Sequence, residues 1–178
     1  MVLRSQNSRE NIIGISLIFL GVSLRLLPHP MNFTPITAIA LFSGVVMAPR
    51  ISLFLPLIIM IVSDLWIGHH ELYPITWGFF FAATLLGIAI RKGVTGKRLF
   101  FSVTGCSVAF FILSNLGVFV FQNMYEKSWA GLLKCYMMAL PFFRNALLGD
   151  LFYSVVLFGV FAALKSYSKK NISQTVSS

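Results

Sequence analysis

Apolar residues run through the chain in six stretches separated by short polar punctuation, at about 12 to 27, 34 to 49, 51 to 67, 75 to 90, 99 to 121 and 146 to 164. A helix needs ~20 residues to cross a hydrocarbon core, somewhat fewer when its ends carry snorkelling groups, and the six stretches approach that length to different degrees. Between the fifth and sixth lies a segment that is first polar and then amphipathic, with Trp129, Leu132, Leu133, Tyr136, Met137 and Leu140 near helical spacing. The pattern predicts an all-α polytopic membrane protein: a bundle of six transmembrane helices, with an outer interfacial helix before helix six. One transmembrane domain covers residues 1–165, and a polar tail, 166–178, is expected to be disordered and cytoplasmic.

Punctuation supports these divisions. Leu27-Pro28-His29-Pro30 breaks the first helix, and Pro35 opens the second. Ala48-Pro49-Arg50 makes a tight turn into the third, inside which Pro56 predicts a kink. Along the second helix Ala40, Gly44 and Ala48 recur every fourth residue, a stripe on which another helix can approach closely. Packing within the bundle is its expected use, and docking to a separate protein the alternative.

Composition agrees, with 57% apolar and 11% charged residues in 178 and a mean hydropathy of +0.85. The net charge of +9 raises the question of nucleic acid, but its distribution answers differently. With the N-terminus cytoplasmic, Arg4, Arg9, Arg50, Arg91, Lys92, Lys97, Arg98, Lys165, Lys169 and Lys170 all fall at inner ends or loops. Arg25, Lys127, Lys134 and Arg144 fall outside. That bias places both termini in the cytoplasm of a multi-pass inner-membrane protein. Basic residues spread over short loops form no tract that follows a phosphate backbone, so nucleic acid is not an expected partner. The N-terminal run resembles a signal peptide, yet no small-x-small cleavage site follows, and the first helix is read as uncleaved.

Few motifs point to catalysis. Gly93 to Lys97 is too short for a phosphate loop, and Arg98 stands where Ser or Thr is required. His69, His70 and Glu71 share a loop without a spacing that fixes a coordination shell, so water-exposed histidines are expected there. Cys106 and Cys135 differ in depth, which disfavours a disulfide. No Ser-His-acid order, zinc signature or cofactor motif is present, and the protein is not expected to be an enzyme.

The informative residues are ionisable or amide groups inside apolar helices, which are costly in a bilayer and functional by default. Asp64, Arg144, Asn145 and Asp150 fall in the outer half of the membrane, as do Arg25 and Asn115. The inner halves hold almost no such groups, which fits an outward-opening binding site better than a relay across the full thickness. Arg144 and Asp150, six residues apart, point in different directions around their helix. Arg144 is expected to meet Asp64 or Asp150 across helices or to bind an anionic ligand group.

Arg25-Leu26-Leu27-Pro28-His29-Pro30, Asn32-Phe33-Thr34-Pro35, Ser63-Asp64, and Pro141-Phe142-Phe143-Arg144-Asn145 through Gly149-Asp150 resemble a bacterial family of small, uncharacterised membrane proteins regarded as transporters. More remotely, the layout is similar to the S components of energy-coupling factor transporters, through the proline-led second helix and its small residues. That resemblance implies capture of a vitamin or cofactor precursor in an outward-facing pocket for uptake, with an ECF-type transmembrane and ATPase module as partner. The first helix lacks an Ala-x-x-x-Ala stripe, and the early Met-His pair of nickel and cobalt members is missing. The rival expectation is a scaffolding protein of the cell envelope, whose polar groups only lock helices together.

Overall fold

Proline and small polar residues cut the apolar chain into helices. Pro49 and Pro74 occupy first turns, where the missing N–H is no loss, and the Thr95 hydroxyl accepts the Arg98 N–H at 3.2 Å to cap another helix. The computed structural model describes residues 2–68 and 71–176, with side chains placed for 10–68 and 71–168. Six helices follow one another: α1 (Val2–Leu26), α2 (Ile36–Val46), α3 (Pro49–Ile67), α4 (Tyr73–Ile90), α5 (Gly96–Phe121) and α6 (Trp129–Val176). A single 3₁₀ turn, Arg91–Gly93, follows α4, and no strand occurs among the described residues.

Four helices are long and apolar enough to cross a membrane: α3, α4 with its 3₁₀ turn, α5, and α6 over Trp129–Ser168. Phe19, Phe54, Trp66, Phe101 and Val155 lie on the exterior, an apolar surface of the kind lipid accepts. Two expectations need correction. The second stretch, read as a crossing from 34 to 49, forms a helix of only 11 residues, about 16 Å long and so half a hydrocarbon core. The interfacial helix and helix six are one uninterrupted helix of 48 residues, which also runs through the tail to Val176.

The physical reason for the second correction is a stripe of small residues. Gly131, Cys135, Ala139, Ala146, Asp150 and Ser154 are all buried, at spacings of four and seven that keep one face turned to the bundle. Pro141 sits on the exposed side, and the helix continues past it.

α2 is the centre of the molecule, and every residue from Ile36 to Gly44 is buried. Around it the others stand in the order α1, α3, α4, α5, α6, an open ring in which α1 and α6 do not meet among the described residues. The small-residue stripe serves internal packing. A Cβ added at Gly44 would lie 2.4 Å from the Thr84 carbonyl oxygen, and one at Gly87 would lie 2.5 Å from that of Leu41. α2 and α4 therefore touch backbone to backbone. Arg91 closes the end of α2, donating through Nη2 to the carbonyls of Gly44 at 2.6 Å and Met47 at 2.7 Å. At that same end the Glu10 carboxylate accepts the Ala48 N–H at 3.2 Å, fixing the start of α1 to the turn before α3.

Candidate functional site

Because α2 is short, the space its missing half would fill at the other end of the bundle is open. A cavity of about 370 Å³ lies there, beneath the non-helical stretch that joins α1 to α2. Non-helical backbone at membrane depth is tolerated where it lines a cavity, and Asn32 and Thr34 of that stretch do so. Asn32 takes a φ of +65°, a conformation asparagine adopts more readily than most residues. Phe33 lies against α6 where Gly149 leaves room, a Cβ there falling 3.1 Å from the Phe33 Cα.

The floor is polar. Asp150 on α6 is 4% exposed, and the Ser107 hydroxyl on α5 donates to its Oδ2 at 2.7 Å. Thr37, in the first turn of α2, lines the cavity beside it. One turn further from the opening, the hydroxyls of Thr104 and Ser154 are buried with no partner among the described residues. In the antiparallel register that pairs Ser107 with Asp150, these two face the same seam.

The walls are aromatic. Phe80 on α4 stacks with Phe110 on α5, centroids 5.8 Å apart, and Phe111 lies 4.8 Å from Phe143 of α6. All four rings line the cavity. Asn115 lines it too, its amide nitrogen donating to the Phe111 carbonyl at 2.8 Å, so that the amide oxygen is left for another partner.

At the rim a second acid is already paired. Arg25 Nη1 meets Asp64 Oδ1 at 2.6 Å, and Trp77 Nε1 donates to Asp64 Oδ2 at 3.0 Å. The same guanidinium nitrogen donates to the Ser63 hydroxyl. Arg25 lines the cavity, whereas Asp64 is turned into the α1–α3–α4 junction.

A family model described as a family of unknown function, DUF6580, matches residues 5–172. The chain belongs to DUF6580. No curated protein and no solved structure matches it. Of the residues singled out from sequence, this DUF6580 chain brings Arg25, Asn115 and Asp150 to one cavity, with Asp64 held behind Arg25.

Arg144 and Asn145 are not among the lining residues. Arg144 is exposed on α6 and makes no ion pair among the described residues, and Asn145 is half-buried. The reason is angular: α6 is continuous, so the face that carries Asp150 turns Arg144 away. Arg25 takes the role expected of Arg144 towards Asp64. His69 and His70 lie outside the described residues.

Sequence reasoning missed Ser107, the partner of Asp150, the cavity-lining Thr37 and the four wall rings. Ser107, Phe111, Ser114, Asn115 and Val118 all line the cavity. Their helical spacing of four, seven, eight and eleven was legible once α5 was given a face.

Proposed function

We propose that this protein captures a small substrate in an outward-facing pocket for uptake, in the manner of an S component. The observation that carries the reading is Asp150, buried at the floor of an aromatic cavity of about 370 Å³ that Arg25 and Asn115 also reach. Ligand sites are typically concave and apolar with a few convergent polar groups, and a helix scaffold that only locks its polar residues together has no use for such a space.

In this reading the cavity faces outward. The basic residues Arg91, Lys92, Lys97 and Arg98 gather at the end opposite the cavity, where Glu10 also fixes the start of α1. By the positive-inside rule that end is cytoplasmic, with both termini there. The chain then crosses six times, and the second crossing consists of the stretch 27–35 followed by α2. A vitamin or cofactor precursor is the substrate class of this reading, and an ECF-type transmembrane and ATPase module its energising partner.

The test is a thermal-shift screen of detergent-purified protein against vitamins, cofactor precursors and divalent metals. A compound that raises the unfolding midpoint of the wild type, but not that of an Asp150→Asn variant with an unchanged ligand-free midpoint, is the expected result. If no compound stabilises the protein, and Asp150→Asn lowers the ligand-free midpoint strongly, the envelope-scaffold reading replaces this one. The closed Arg25–Asp64–Trp77 lock is the observation on that side.

A further inference from the structure

We infer that the cavity takes a small organic monocation, with Asp150 as its counter-charge and phenylalanine rings as its walls. This deepens the capture reading above and rests on it.

The inference follows from a charge inventory. Among the described residues, Arg25 and Asp150 are the only ionisable side chains lining the cavity, and they are not paired with each other. The Arg25 charge is compensated by Asp64 at 2.6 Å, on a carboxylate that does not line the cavity. Asp150 meets the Ser107 hydroxyl, and it pairs with no cation among the described residues. Hydroxyls satisfy carboxylate oxygens but bring no positive charge, so the cavity holds one uncompensated acid in apolar surroundings, where an isolated charge is costly. A ligand that brings one positive charge removes that cost. An anion adds to it, and a neutral ligand leaves it unchanged.

The walls select the same class independently. Aromatic faces carry negative quadrupole density, and groups of rings around a small space favour ammonium and other diffuse cations. The Phe80–Phe110 stack and the Phe111–Phe143 pair come from three helices and enclose the space above Asp150. Its volume of about 370 Å³ suits a compact ring or branched ammonium. A polyamine would require further acids, and none lines the cavity among the described residues.

Three probes of one shape separate the possibilities: choline, carrying +1, its neutral isostere 3,3-dimethylbutan-1-ol, and the anion 3,3-dimethylbutyrate. Titrated into the detergent-purified full chain with the unfolding midpoint as readout, choline should bind at least about 10-fold more tightly than the alcohol, and the anion most weakly. In Asp150→Asn the choline preference should vanish, and Phe111→Leu should weaken choline about 3- to 10-fold while leaving the alcohol little changed. The wild-type order needs no variant to fold. Equal affinities, a preference for the anion, or a choline preference that survives Asp150→Asn would overturn the monocation assignment while leaving a ligand-binding cavity in place. No shift with any of the three overturns the assignment as well, and the capture reading falls with it only if the vitamin and precursor screen is also empty.

Discussion

Asp64 has both carboxylate oxygens engaged, one by Arg25 at 2.6 Å and the other by the Trp77 indole at 3.0 Å, and it is almost wholly buried. Removing one member of such a pair strands the other, at a typical cost of about 3 to 5 kcal/mol, whereas replacing both with apolar groups of similar volume is close to neutral. Arg25→Ala should therefore lower stability by roughly that amount in a denaturant titration in detergent, and Arg25→Met combined with Asp64→Leu should recover most of it. A double variant no more stable than Arg25→Ala would mean that Arg25 acts through packing and not through charge. Asp64 and Arg25 stood out in the sequence because charge inside apolar runs is conspicuous. Their partnership was not legible, since nothing local distinguishes Arg25 from Arg144 as the cation that reaches Asp64. That choice is made by α1 packing on α3 while Arg144 faces away from the bundle.

At the scale of elements, the contact of α2 with α4 decides the architecture. Gly44 and Gly87 bring the two backbones together, and Gly44→Ala sets two effects against each other. Alanine favours a helix over glycine by about 1 kcal/mol, but its Cβ would stand 2.4 Å from a carbonyl oxygen that cannot rotate aside. Overpacking costs about 1 to 3 kcal/mol even where side chains can move, so the clash should win. Gly44→Ala is expected to lower the unfolding midpoint, while Gly78→Ala, at a position with nothing within 4 Å of the new Cβ, should leave it unchanged or raise it. The stripe on α2 was visible at its four-residue spacing, and its use within the bundle followed. The length of α2 was not visible, because Thr34 and Pro35 before it and Met47 to Pro49 after it extend the apolar run without continuing the helix. The continuity of α6 was hidden for the opposite reason. Large residues marked an amphipathic segment before Pro141, while the small residues that seat the whole helix carry little weight in such a pattern.

At the scale of the whole molecule, the basic cluster of Arg91, Lys92, Lys97 and Arg98 and the cavity lie at opposite ends. The outward orientation proposed for the cavity predicts that, in cysteine-free protein, a cysteine replacing Lys127 is labelled by an impermeant maleimide in intact cells, and one replacing Lys97 only after the membrane is opened. The reverse pattern would turn the cavity towards the cytoplasm and end the uptake reading. α6 contributes a different asymmetry. From Asp150 it runs on to Val176, while α5 begins only at Gly96, so α6 overhangs its neighbour by about 20 Å at the end away from the cavity.

The stretch between Leu27 and Pro35 covers the cavity beyond the start of α2, held by its own turn, in which the Phe33 N–H bonds the Pro30 carbonyl at 2.9 Å. α2 meanwhile is clamped at the far end by Arg91 and along its length by α4. Insertions or exchanges in 27–35 thus reshape the roof over Asp150 without rotating α2, whereas one residue added within α2 would turn every buried side chain beyond it by about 100°. The roof of the cavity and the packing of α2 are written in separate parts of the chain, so the one can vary without the other being rebuilt.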